Sequence, residues 1–139
     1  PILGPFETWL LLRSMGSLGL RFERQCQNAQ GLAAALHGHS KVKTVRYPGL
    51  ASDPSHAVAA DQMRRFGGIV SVELADADAG HAMVQNSELL VAATSFGGLH
   101  TSVDRRARWG DDVAGGFARI SAGIEDTDDL VADVLRALG

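Results

Sequence analysis

Residues 117–126, Phe-Ala-Arg-Ile-Ser-Ala-Gly-Ile-Glu-Asp, constrain the fold more than any other stretch of the chain. Phe117, Arg119 and Ser121 alternate with Ala118, Ile120 and Ala122, so a strand here turns an apolar set to one face and Arg119 to the other. Arg cannot shed its proton and an unpaired charge out of water is costly, so Arg119 requires an anion. Its planar fork suits a carboxylate held through two parallel hydrogen bonds, supplied by an internal Asp or Glu or by a ligand. A helix start follows, with Glu125, Asp126, Asp128 and Asp129 crowding the first turn, where negative charge meets the positive end of the helix dipole. Leu130, Val131, Val134, Leu135 and Leu138 then form one stripe at helical spacing, with Arg136 near the end and Gly139 beyond it.

The rest of the chain alternates helical and extended patterns. Pro5 suits a first helical position, and Trp9, Leu10, Leu12 and Arg13 continue an amphipathic run that weakens at Gly16 and Gly19. A second run from about Leu20 places Phe22, Cys26, Ala29, Ala33 and Leu36 on one side, so residues 1–38 read as one long interrupted helical segment. Residues 39–139 read as a sheet-and-helix layer. Lys41–Tyr47 alternates charged and apolar side chains like a half-exposed strand, and Pro48-Gly49 turns the chain. Asp53 or Ser55 is placed to cap the next helix, which Arg64-Arg65 closes. A second strand runs from Ile69 to Leu74, Asp76 or Asp78 opens a short helix through Met83, and Leu89–Ala93 reads as a third strand. Strands that alternate with helices predict an α/β layer of about four strands, with helices mainly on one side.

Composition narrows the function classes. A chain of 139 residues can bury one core. The formal net charge of −3 argues against a general affinity for nucleic acid or anionic membrane. Cys26 is the single cysteine, which rules out an internal disulfide and fits a reducing, cytoplasmic setting. No apolar run approaches the roughly 18 residues of a membrane span. His37 and His39, two apart at a helix exit, are poorly spaced for a shared metal and read as surface residues. The charged run Asp104–Asp112, with Trp109 inside it, reads as a solvated connection. Ser95-Phe96-Gly97-Gly98 follows a strand directly, and loops at strand ends are where ligands usually sit. His100 lies just beyond, free to serve as acid, base or simple donor.

Five short motifs occur in one order along the chain: Gly4-Pro5-Phe6-Glu7-Thr8-Trp9-Leu10-Leu11-Leu12-Arg13, Tyr47-Pro48-Gly49-Leu50, Phe66-Gly67-Gly68-Ile69-Val70-Ser71, Ser95-Phe96-Gly97-Gly98 and Arg119-Ile120-Ser121-Ala122-Gly123-Ile124-Glu125-Asp126. Together they resemble the cystathionine gamma-synthase and gamma-lyase family, pyridoxal-phosphate (PLP) enzymes of cysteine and methionine metabolism. The resemblance implies the small C-terminal domain of a fold-type I PLP enzyme, with a mixed or mostly antiparallel sheet. It also implies that Ser95 and Arg119 hold the substrate's α-carboxylate. His100 stands where most relatives carry a glutamate near the distal end of the substrate, so substrate preference is open at that position.

The chain's two lysines, Lys41 and Lys43, fall together on one half-exposed predicted strand, away from any glycine-rich cradle, so neither suits a Schiff base. In the family that lysine belongs to a larger domain that precedes this one. The resemblance thus implies a domain with no catalytic or cofactor-binding residue of its own, working beside its own N-terminal PLP domain in a cytoplasmic homotetramer. Cystathionine cleavage to cysteine, 2-oxobutanoate and ammonia is the leading expectation. Cystathionine gamma-synthase or methionine gamma-lyase chemistry is the alternative within the family. A non-enzymatic module that binds small carboxylates or mediates oligomerisation is the alternative outside it, because Phe6, Trp9, Leu10, Leu11 and Leu12 are more apolar than one covered face requires.

Overall fold

The computed structural model describes residues 2–139. Helix α1 (Pro5–Met15) begins with Pro5 at its first position, where the missing N–H costs nothing, and ends at Gly16. Helix α2 (Leu18–Leu36) follows after two residues. The first strand is β1 (Val42–Arg46), then come α3 (His56–Gln62), β2 (Ile69–Leu74) and α4 (Ala77–Asn86). Two short strands, β3 (Val91–Ala92) and β4 (Ser102–Arg105), flank an exposed loop. A 3-10 turn over Arg106–Trp109 leads toward β5 (Phe117–Ser121), and α5 (Thr127–Leu138) closes the chain.

The sheet has five strands in the order β1-β2-β5-β4-β3. Every neighbouring pair is antiparallel except β3 with β4. The expected mixed, mostly antiparallel sheet is present, with one strand more than the sequence suggested. The extra strand is β4. Thr101, Ser102, Val103 and Asp104 are all buried, although the polar run that begins at Asp104 reads as solvated. Antiparallel pairing with β5 places Val103 opposite Ile120 and Asp104 opposite Arg119, so the strand is stabilised by its neighbour rather than by its own propensity. β3 is shorter than the predicted Leu89–Ala93 because only Val91 and Ala92 find partners on β4.

One face of the sheet carries the core. Val70, Val72, Leu74, Val103, Ala118 and Ile120 meet Ala29, Leu32, Ala33 and Leu36 of α2, Met83 of α4, and Leu130 and Val134 of α5. Phe22 does not join them and stays exposed; Gln25 and Asn28 are buried instead, because their amides reach backbone carbonyls of the loops beyond β3 and β5. α1 buries none of its residues, and Phe6, Trp9, Leu10, Leu11, Leu12 and Met15 all face outward.

The opposite face of the sheet is polar. Pairing register aligns Arg46, Ser71, Arg119 and Asp104 in one row across four strands. At the β1 end of that row Asp53 accepts from Arg46 Nε at 3.0 Å, from the backbone N–H groups of Tyr47 and Ser55, and from Ser55 Oγ. These bonds fix the Tyr47-Pro48 turn. Toward the other end lies Arg119, with Asp104 beyond it.

Candidate carboxylate site

The last strand and the loop after β3 are built around each other. Asp126 caps α5 by accepting from the backbone N–H groups of Asp128 and Asp129, as the acidic cluster predicts. Glu125 does not take part in that first turn. Its carboxylate turns back to Thr101, accepting from the backbone N–H at 2.6 Å and from Oγ1 at 2.8 Å. Thr101 Oγ1 in turn accepts from the Gly123 N–H at 2.9 Å. Gly123 sits so close to the loop that a Cβ there would collide with the Leu99 carbonyl oxygen and the His100 backbone. Glycine is the side chain that permits this approach.

The loop 94–99 is pinned from several directions. Arg119 Nη2 donates to the Thr94 carbonyl, Ser102 Oγ to the Ser95 carbonyl at 3.0 Å, and Gln25 Nε2 to the Gly98 carbonyl at 2.8 Å. The Gly97 N–H donates to Ser121 Oγ at 2.9 Å, and the Ile124 N–H to the Leu99 carbonyl at 2.9 Å. Gly97 adopts φ +76°, the left-handed region that glycine enters without strain. Phe96, 68% exposed, lies with its ring 5.3 Å from the Arg119 guanidinium carbon. The loop is exposed yet held, which is what a preformed binding edge requires.

Arg119 therefore meets the loop that carries Ser95 through its neighbours, the Thr94 carbonyl and the Phe96 ring. Ser95 leaves its side chain at the surface. His100 is also exposed, at the far end of the same loop, where the backbone docks on Gly123 and Ile124. Arg119 does find an internal acid, Asp104, but only at 3.5 Å through Nη2. Asp104 gives its stronger interactions to Arg106 Nη1 at 2.9 Å and Trp109 Nε1 at 3.0 Å, with Arg108 at 3.7 Å. Burial alone would push the Asp104 carboxyl up, but the hydrogen bonds from Trp109 and Arg106 and the charges of Arg106 and Arg119 outweigh it and hold it below the ordinary carboxylate range. Arg119 Nε is buried and has no hydrogen-bond acceptor among the described residues. A buried donor on a charged group without a partner is costly, on the order of 1–3 kcal/mol, and marks where an acceptor belongs.

Sequence reasoning missed Asp104, Thr101, Ser102, Gln25 and the inward role of Glu125. The signal that could have found Glu125 and Gly123 is their place inside the motif that closes β5, since both are spaced to reach back toward a neighbouring strand. Asp104 and Gln25 carry no comparable local signal.

Comparison with known proteins places the fold and the family. The family model described as Cys/Met metabolism PLP-dependent enzyme matches residues 1–139. A Streptomyces coelicolor protein described as "Putative cystathionine gamma-lyase" is 48% identical over 99% of this chain and 35% of its own length. The cystathionine beta-lyase of Coxiella burnetii is 40% identical over 99% of this chain and 38% of its length. Among solved structures, metB from Corynebacterium glutamicum superposes with a TM-score of 0.92 at 38% identity, over 99% of this chain and 38% of that one. O-acetylhomoserine sulfhydrylase of Wolinella succinogenes gives the same TM-score at 32% identity, over 100% and 40%. The chain thus spans well under half the length of the relatives it matches.

The lysines of this chain do not fit the cofactor's Schiff-base role. Lys41 Nζ donates to the Leu138 carbonyl at 2.8 Å and Lys43 Nζ to the Ala75 carbonyl at 2.9 Å. Both side chains are exposed on the β1 side of the sheet, with β2 between that strand and β5.

Proposed function

Because the chain belongs to the Cys/Met metabolism PLP-dependent enzyme family, we propose that it is the C-terminal, substrate-carboxylate-binding part of a carbon–sulfur lyase of that family. The first-choice reaction is hydrolytic cleavage of cystathionine to cysteine, 2-oxobutanoate and ammonia; the γ-replacement of a cystathionine gamma-synthase, or methionine gamma-lyase activity, comes second. The observation that carries this reading is the Arg119 guanidinium beside an ordered loop, reached by its one internal acid only at 3.5 Å and with an Nε that has no acceptor among the described residues. An α-carboxylate is the acceptor that matches a guanidinium in charge and shape.

Pyridoxal phosphate, the cofactor of the family, supplies the electron sink when bound. This chain's share is to hold the amino acid. Arg119 grips the carboxylate, Ser95 Oγ donates to it from the loop, and Phe96 shields the guanidinium on one side, so that the Cα–H and the γ-substituent face one direction. His100, where relatives carry a glutamate, tunes preference for the distal end of the substrate. The exposed apolar surface of α1 supports a covering partner, which we assign to the protein's own N-terminal PLP domain within a homotetramer. The buried thiol of Cys26 suits a reducing compartment, the cytoplasm.

The test is Arg119→Ala in the intact enzyme with L-cystathionine as substrate. Loss of a bidentate contact in a dry site raises KM and lowers kcat/KM by on the order of a hundredfold or more. An unchanged kcat/KM removes Arg119 from the site.

A further inference from the structure

Asp104 faces Arg119 directly across the β4–β5 pair and is 1% exposed. A buried carboxylate with three guanidiniums around it is an unusual investment for a four-residue strand, because each ion withdrawn from water costs several kcal/mol unless its partners are well placed. Its oxygens are divided. Oδ1 is taken by Trp109 at 3.0 Å and approached by Arg108 at 3.7 Å, while Oδ2 accepts from Arg106 at 2.9 Å and reaches Arg119 at 3.5 Å. Arg106 is in turn paired with Asp111 at 2.5 Å, and Arg108 lies over the Trp109 ring at 4.7 Å. The acid is thereby held through both oxygens by groups other than Arg119. It directs Nη2 toward itself and the Thr94 carbonyl, and leaves Nε without an acceptor.

We propose that Asp104 is the positioning residue for Arg119: it anchors Nη2 to the sheet and so sets the orientation in which the guanidinium meets the ligand's carboxylate. This rests on the reading of Arg119 as the carboxylate holder. Two opposing effects have to be weighed. Removing Asp104 takes away an anion that competes with the ligand, which favours binding. It also leaves Arg106, Arg108 and Arg119 close together with Asp111 as the one acid among them, and repulsion then drives the exposed end of Arg119 away from the loop. The second effect dominates, because the 3.5 Å contact is a weak competitor whereas the arginine cluster has no other buried counter-ion among the described residues.

The experiment measures binding of L-alanine and L-alaninamide, which carry no leaving group, to the intact, cofactor-loaded enzyme by calorimetry. Asp104→Asn is expected to weaken L-alanine binding about tenfold, because a displaced guanidinium loses about one charged hydrogen bond to the ligand's carboxylate, while L-alaninamide stays within about twofold. Asp104→Glu, which keeps the charge, is expected to recover part of the loss. A general loosening of the fold would weaken acid and amide alike. An Asp104→Asn enzyme that binds L-alanine as well as or better than the unsubstituted one, while Arg119→Ala weakens it, overturns the role of Asp104 and leaves Arg119 in place. An Arg119→Ala enzyme with an unchanged acid-to-amide ratio overturns both. Failure of both Asp104 variants to fold, seen by circular dichroism, marks Asp104 as a structural ion and overturns the proposal.

Discussion

Gly97 donates its backbone N–H to Ser121 Oγ at 2.9 Å, joining the tip of the loop after β3 to the end of β5. Ser121 is buried, so it has little access to a replacement donor, and Gly97 relies on it to keep a left-handed turn in place. Ser121→Ala is therefore expected to cost about 1 kcal/mol of stability and to loosen the loop. In the intact enzyme KM should rise more than kcat falls. Steady-state kinetics together with amide exchange at Gly97 check both parts.

Gly123 is the closest approach between the two segments. Gly123→Ala places a methyl group against the Leu99 and His100 backbone, which cannot move without breaking the Ile124–Leu99 bond. The expected result is a loss of several kcal/mol in stability, of the order seen for overpacking and strain. Urea titration of the intact protein beside Ser121→Ala should rank Gly123→Ala as the more damaging of the two.

Asn28 is buried in α2 and donates to the carbonyls of Gly123 and Glu125, while its Oδ1 accepts from Thr127 Oγ1 at 2.5 Å. Asn28→Ala leaves two carbonyls and a hydroxyl short of partners. A loss of about 2–4 kcal/mol is expected. A change below about 0.5 kcal/mol in a denaturant titration would contradict the assignment of this residue as the tie between α2 and the turn before α5.

Asp53 sets the acid limb of stability. Burial would raise its carboxyl, but the hydrogen bonds from Arg46 and Ser55 and the Arg46 charge prevail and depress it far below the ordinary value. A group depressed in the folded state stabilises the fold above its unfolded pKa, about 3.9, and that stabilisation fades as pH falls toward the folded value. Asp53→Asn should lower stability at neutral pH and flatten its decline below about pH 4. Denaturant midpoints across that range test the sign.

Tyr47 sets an alkaline limb. Burial, assisted by the nearby Cys26, pushes its phenol up to about 12, and its hydroxyl donates to the Gly67 carbonyl at 3.1 Å. A raised folded pKa means that stability is complete below the unfolded value near 10 and is lost as pH rises toward the folded value. Tyr47→Phe should remove this dependence, which ultraviolet titration of the phenol alongside unfolding measurements would show.

Much of the architecture is legible locally. Period-two alternation locates β2 and β5, and Pro5, Asp126 and the stripe on α5 place helix ends and the face of α5 that meets the core. β4 is not legible, because Ser-Val-Asp-Arg resembles the charged run that follows it until β5 supplies the pairing. Phe22 misleads for a related reason: hydrophobicity predicts burial only where a neighbour covers the residue, and Gln25 and Asn28 gain more from loop carbonyls one turn away.

The residues 119–126 determined by themselves that a strand would present a cation and that a helix would start at an acid, since these follow from alternation and the helix dipole. Which acid Arg119 would meet, and whether that acid would consume it, was decided by the β4–β5 register. That register placed Asp104 opposite Arg119 while Arg106 and Trp109 drew its oxygens away, leaving Nε unpaired. Pairing across strands depends on backbone hydrogen bonds between segments distant along the chain, and no local pattern specifies them.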